Sequence, residues 1–175
     1  MKNIILALTA LLIFNCCDKK DDEPKNPIDQ LPPATQIGAN TAGCLVNGEA
    51  IFPKGSGLIF QIFYTNGLNF GLFIANEKAN NDRIINLASL NESLQVGQTY
   101  QLKEYAENSK YGEYVIRDFP ISETQYQTTA TVTGELKITH HDFNNAIISG
   151  TFWFDAIDSE GNIVEVREGR FDGEY

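Results

Sequence analysis

The chain has 175 residues, 42% of them hydrophobic, and a formal net charge of −10. That is room for one domain with a real apolar core. No basic stripe exists to neutralise phosphates, which argues against nucleic acid, and the same charge opposes lying flat on an anionic membrane.

In chain order, Met1-Lys2-Asn3 brings one positive charge, and Ile4 to Phe14 is an apolar run broken only by Thr9. About eleven residues suit the apolar region of an export signal and fall short of the roughly 20 that span a bilayer. Residues 1–15 are therefore expected to be a signal peptide. It ends in "IFNCC", which resembles the lipobox of bacterial lipoproteins, with Ile13 at the aliphatic place and Cys16 at the lipid-accepting place. Asn15 stands where a small residue is usual, and Cys17 is the alternative acceptor. At about 0.8 kcal/mol per buried methylene, two or three acyl chains would anchor the protein permanently.

The count of three cysteines is odd, which suits one lipidated cysteine better than a disulfide framework. Cys44, in "AGCLVNGEA", reads as a small buried apolar residue of a strand. A Cys17–Cys44 bridge is the alternative. Residues 16–40 are expected to form a lipidated, disordered tether. From Asp18 onward they are rich in charge and proline, and their reach is on the order of 25–30 Å. Asp21-Asp22-Glu23 resembles the signal that sends Bacteroidetes lipoproteins to the outer face of the outer membrane. A solvating charge run is the plainer alternative.

Residues 41–175 read as one antiparallel β domain, a sandwich or a barrel. "GCLVNGEAIF" predicts a hairpin at Asn47-Gly48, and "GLIFQIFYTNGLNFGLFIA" another at Asn66-Gly67. In the latter Leu68, Phe70, Leu72 and Ile74 share a face. Further strands are expected at "RIINLASL", "TYQLKEY", "EYVIRDF", "TTATVTG" and "ELKITH", with a hint of a helical turn at "NESLQVG". The last hairpin is the clearest. In "AIISGTFWFDA", Ile148, Phe152, Phe154 and Ala156 form one face and Ile147, Ser149, Thr151, Trp153 and Asp155 the other. "DSEGN" turns the chain and "IVEVREGRFDGEY" returns. Val164 and Val166 are in phase while Phe171 is not, which predicts a bulge near Gly169.

"LPPATQIGANTAGCLVNGEAIFPKG" and "ISGTFWFDAIDSEGNIVEVREGRFDGEY" together resemble an uncharacterised family of Bacteroidetes envelope lipoproteins. The resemblance implies a lipid-anchored all-β domain at the cell envelope, and it carries over no catalytic residue.

No constellation predicts chemistry, and neither an enzyme, a cofactor nor a metal centre is expected. Adjacent His140 and His141 on a strand would point to opposite faces and chelate one metal poorly, so "THHDFNN" reads as a polar hairpin loop. Asp155, Asp158 and Glu160 crowd the last turn but miss the calcium-loop spacing. "KGSG" lacks the length of a phosphate loop, and no Gly-x-Ser-x-Gly elbow is present. Tyr100, Tyr105, Tyr111, Tyr114 and Tyr126 cluster amid polar neighbours as a candidate ligand platform, with cross-strand packing as the alternative. Two readings result. One is a surface module binding a glycan, small ligand or protein at the outer membrane. The other is a structural or accessory subunit of an envelope complex. An apolar cavity inside a barrel would favour the first, a filled core with a flat aromatic patch the second.

Overall fold

The computed structural model describes residues 26–78, 80–120 and 122–175. The expected signal peptide, Cys16, Cys17 and the Asp21-Asp22-Glu23 cluster lie outside the described residues. Eleven strands follow one another: β1 (Thr41–Val46), β2 (Glu49–Ile51), β3 (Phe60–Thr65), β4 (Asn69–Lys78), β5 (Asn81–Leu90), β6 (Thr99–Leu102), β7 (Lys110–Asp118), β8 (Ser122–Gln127), β9 (Gly134–Asp142), β10 (Ile147–Ile157) and β11 (Ile163–Glu174). They form one sheet in the order β2-β1-β11-β10-β8-β7-β5-β4-β3, with β9 on β10 and β6 on β9. All pairings between these strands are antiparallel, and those between consecutive strands follow from their hairpin links.

The two ends of the path come together. Lys54, just past β2, forms a parallel bridge with Asn76 of β4. Its N–H donates to the Ala75 carbonyl at 3.0 Å, and its own carbonyl accepts from Glu77 at 2.7 Å. The sheet thus curls round one core, to which nearly every strand sends alternate side chains, among them Cys44, Ile62, Phe70, Ile85, Leu102, Tyr114, Leu136, Phe154 and Phe171. Each large side chain so buried stabilises the fold by about 1.5–3 kcal/mol. The all-β domain is as expected, and its interior is filled by side chains.

The local chemistry explains the turns. Val46 pairs with Glu49, and the two residues between have positive φ, 48° at Asn47 and 82° at Gly48. That is the two-residue hairpin the Asn-Gly pair favours. At the second hairpin Thr65 pairs with Asn69 and only Gly67 is left-handed, at φ 74°. The expected bulge is present. Phe152 faces Gly169 while Phe154 faces Val166, so β11 holds one extra residue at Arg167–Glu168. The register on β1 slips at the same place. Glu168 takes φ 56° to accommodate it, and Val166 and Phe171 both turn into the core. Two aromatic rings lie over glycines on neighbouring strands. A Cβ on Gly169 would stand 2.4 Å from the Phe152 ring, and one on Gly150 would stand 2.7 Å from the Phe171 ring. Removing those Cβ atoms makes space for large rings inside a small, tightly curved sheet.

Four expectations are corrected. "TTATVTG" is not a strand, because β8 ends at Gln127 and β9 begins at Gly134. Its threonines satisfy backbone groups instead, local ones at Thr129 and those of β7 at Thr128. The Thr129 hydroxyl accepts from the N–H groups of Thr131 at 3.2 Å and Val132 at 2.9 Å, and Thr128 Oγ1 accepts from Gly112 N–H at 3.0 Å. "NESLQVG" forms no helical turn; Leu94 is drawn into the core, and Gly97 turns the chain with φ 84°. His140, His141 and Asp142 are not in a loop but end β9, and the turn begins at Phe143.

The fourth correction concerns the tether. Residues 26–40 are not free chain but part of the body. A short 3-10 helix, Pro27–Gln30, is capped by Asn26, whose side chain accepts from Ile28 N–H. Leu31 and Pro32 then pack over Gly43 of β1, where a Cβ would approach them to 3.2 and 3.1 Å. Beyond them the chain wraps the carboxylate of Asp172, which is 1% exposed. Asp172 accepts from the Thr35 hydroxyl at 2.6 Å, from the backbone of Ile37, Gly38 and Ala39 at 3.0, 3.0 and 3.1 Å, and from the Ser149 hydroxyl at 2.7 Å. Burial alone would raise its pKa; these donors outweigh it and hold the carboxyl at about 2.

Candidate functional site

On the outward face of β6, β9, β10 and β11 the antiparallel register aligns two cross-strand rows. One runs Thr99–Lys137–Thr151–Arg170, and the next runs Gln101–Glu135–Trp153 to the Arg167–Glu168 bulge. Their neighbours along the strands, Leu136 and Phe152, point into the core, so strand alternation alone puts these side chains outside. Between the rows lies a groove of about 530 Å³, lined by both and walled on one side by Ala34 of the N-terminal segment. Gln36 steadies that wall by donating to the Thr139 carbonyl at 3.4 Å.

Trp153, the single tryptophan of the chain, lines the groove and is 37% exposed. Its indole N–H donates to Glu135 at 3.2 Å, and the Arg167 guanidinium lies 5.5 Å from the ring centre. Glu135 also accepts from Gln101 at 3.0 Å, and Arg167 is ion-paired with Asp155 at 2.6 Å. Indole, carboxylate and guanidinium are therefore held in place, a rigid amphipathic platform beside cations, carboxylates and hydroxyls. The bulge belongs to this design, since the extra residue brings Arg167 and Glu168 out together beside Trp153.

The five tyrosines do not form one platform. Tyr114 is in the core at 3% exposure, its phenol pushed up to about 12 by burial, and Tyr126 packs against it with ring centres 5.9 Å apart. Tyr100 packs against the core, and its hydroxyl accepts from Gln95 N–H at 2.7 Å. Only Tyr105 and Tyr111 form an outer pair, edge to face at 5.1 Å, with Tyr105 67% exposed. Tyr126 also borders a notch of about 780 Å³ where β8 leaves β10, lined by Glu123, Asp158 and Glu160. Larger than the groove, it lacks a comparable fixed aromatic surface with adjoining cations.

The other candidates have structural partners. His141 stacks on Phe143 with centres 4.0 Å apart, meets Tyr64 edge-on at 4.6 Å and shares a hydrogen bond with Tyr175 at 3.1 Å. Burial lowers its pKa. Asp158 accepts from Glu160 and Asn162 within the last turn, and Asp142 does the same for Asn144 and Asn145. Among the described residues no three His, Cys, Asp or Glu side chains gather as metal ligands. Cys44 is fully buried and free, its thiol pushed up by desolvation. No helix among the described residues is long and apolar enough to cross a membrane.

Fold and groove together define a class, a curled all-β domain with an open cleft on its outer face. The family model for a domain of unknown function, DUF6252, matches residues 71–173, more than half of the chain, and the protein belongs to that family. The matched stretch contains β6, β9 and β10 and nearly all of β11, hence both rows of the groove, but not the wall at Ala34. Neither a curated protein nor a solved structure matches the chain.

Proposed function

We propose that this protein is a ligand-binding module of the cell envelope, with the Trp153 groove as its site and a glycan as its ligand. It is held at the outer membrane by a lipid on Cys16, or Cys17 in its place, and Asp21-Asp22-Glu23 directs it to the exterior. The observation that carries the reading is the immobilised indole beside polar groups in a groove of about 530 Å³. A preformed cleft of that size, with an aromatic surface and a few converging polar groups, is the usual form of a small-ligand site. Binding rather than catalysis fits the carboxylates, because Glu135 holds Trp153 and Gln101 while Glu168 faces Arg170.

A glycan array probed with the full chain and with Trp153→Ala tests this. Wild-type signals that vanish in a normally folded variant support the groove; equal signals put the site elsewhere. Cys16→Ser should abolish acyl labelling, and retained labelling would assign the anchor to Cys17. The accessory-subunit reading has two observations in its favour, the interior filled by side chains and one exposed apolar hollow. Val96 and Phe143, the latter 60% exposed, line a hollow of about 420 Å³ beside His141. Affinity capture from native envelopes that depends on Phe143 and not on Trp153 would favour that reading.

A further inference from the structure

Resting on the groove as a glycan site, we infer that it selects acidic sugars, with Lys137 and Arg170 forming the subsite for a ligand carboxylate. The chain's formal net charge is −10, so its overall field repels anions, and a row of cations on its surface is a local exception. Lys137 and Arg170 flank Thr151 across three adjacent strands. Among the described residues Lys137 has no acid within ion-pairing distance, and Arg170 meets only Glu168, at 3.7 Å. Arg167 is different: Asp155 neutralises it at 2.6 Å and it serves to hold the indole. The Arg170 side chain is only 19% exposed and is fixed by its Nε–H donating to the Glu168 carbonyl at 3.1 Å. A partly desolvated, pre-oriented guanidinium binds a carboxylate more strongly than an exposed, mobile one does.

The neighbours of this pair specify a sugar rather than a bare anion. Thr151 and Trp153 are two residues apart on one face of β10, about 7 Å along the strand. The indole can take the C–H face of a pyranose. The Thr99 and Thr151 hydroxyls and the Glu135 carboxylate are placed for its hydroxyls. The exocyclic carboxylate of that ring, or of the next, then falls on Lys137 and Arg170. A lipid phosphate would use the cations and leave the indole without a partner.

The test is an array of oligosaccharides bearing uronic or sialic acid beside their methyl-esterified counterparts, probed with the full chain. Losing one charge-assisted contact should weaken binding about 10- to 100-fold, so the acids should be preferred over the esters by that factor. Lys137→Ala and Arg170→Ala should erase the preference in variants that still melt cooperatively, while Lys137→Arg keeps it. Equal binding of acid and ester, or a preference that survives both alanine variants, overturns the carboxylate subsite and leaves the groove standing. Binding to no glycan, or binding unchanged in Trp153→Ala, overturns the groove itself.

Discussion

Trp153 and Phe154 are adjacent on β10 and face opposite sides of the same sheet. Inside, Phe154 is fully buried, and its neighbours Phe152 and Phe171 fit only because glycines opposite them leave room. Outside, Trp153 is held by a carboxylate at its edge and a guanidinium over its face. The inner face is settled by volume, which many apolar sequences could fill. The outer face is settled by charge and hydrogen bonding between particular residues, which is what recognition needs. The bulge at Arg167–Glu168 serves both: it returns Phe171 to the core and brings two charged side chains out beside Trp153.

The sharpest way to break this contrast is to remove the inner side. Deleting Arg170 to Tyr175 removes Phe171 and Asp172 together and should unfold the body; a truncated chain that melts like the full one would show the last strand to be peripheral. Phe154→Ala should cost about 3–5 kcal/mol, a large part of the roughly 5–15 kcal/mol a domain of this kind possesses, read as a fall in the denaturation midpoint.

Asp172 comes next. Its carboxyl is held at about 2, against an ordinary 3.8, despite a burial that would raise it. A depressed pKa stabilises the fold fully above the unfolded value and loses that contribution as pH falls through the folded one. About 2 kcal/mol should therefore be present above pH 4 and disappear between about pH 4 and 2. Asp172→Asn should lose most of it at neutral pH and flatten the acid limb in that window. It should also free residues 35–39 to exchange and to proteolysis. An unchanged limb would detach the N-terminal segment from this carboxylate.

Trp153→Ala should cost only about 1 kcal/mol, because the ring is partly exposed and its gains are one hydrogen bond and one cation–π contact. Its melting loss should be a fraction of that of Phe154→Ala although the two residues adjoin. Asp158→Ala, which removes only bonds within an exposed turn, should move the midpoint least of all.

What the sequence disclosed follows the same division. The inner face was legible because burial imposes a period of two: the Phe152–Phe154 alternation and the phase break before Phe171 located the bulge within two residues. The outward position of Trp153 was legible for the same reason. Its groove was not. Lys137 and Glu135 join Thr151 and Trp153 only through the pairing of β9 with β10, and Thr99 only through β6, a register that local pattern does not specify. The Asp172 nest was hidden further still, because all its donors but Ser149 lie more than a hundred residues away in a polar, proline-rich stretch whose composition suggests disorder. The tyrosines misled because a tyrosine among polar neighbours has the same local pattern whether its ring points in, like Tyr114, or out, like Tyr105.

Because Trp153 is the chain's single tryptophan, its fluorescence reports on the groove and on nothing else. Emission and acrylamide quenching of the full chain should be recorded while oligosaccharides that it captures on the array are titrated in. Binding at the groove predicts a saturable shift in emission and protection from acrylamide, with the same midpoint as direct binding. Saturable binding that leaves both emission and quenching untouched would contradict the groove as the binding site.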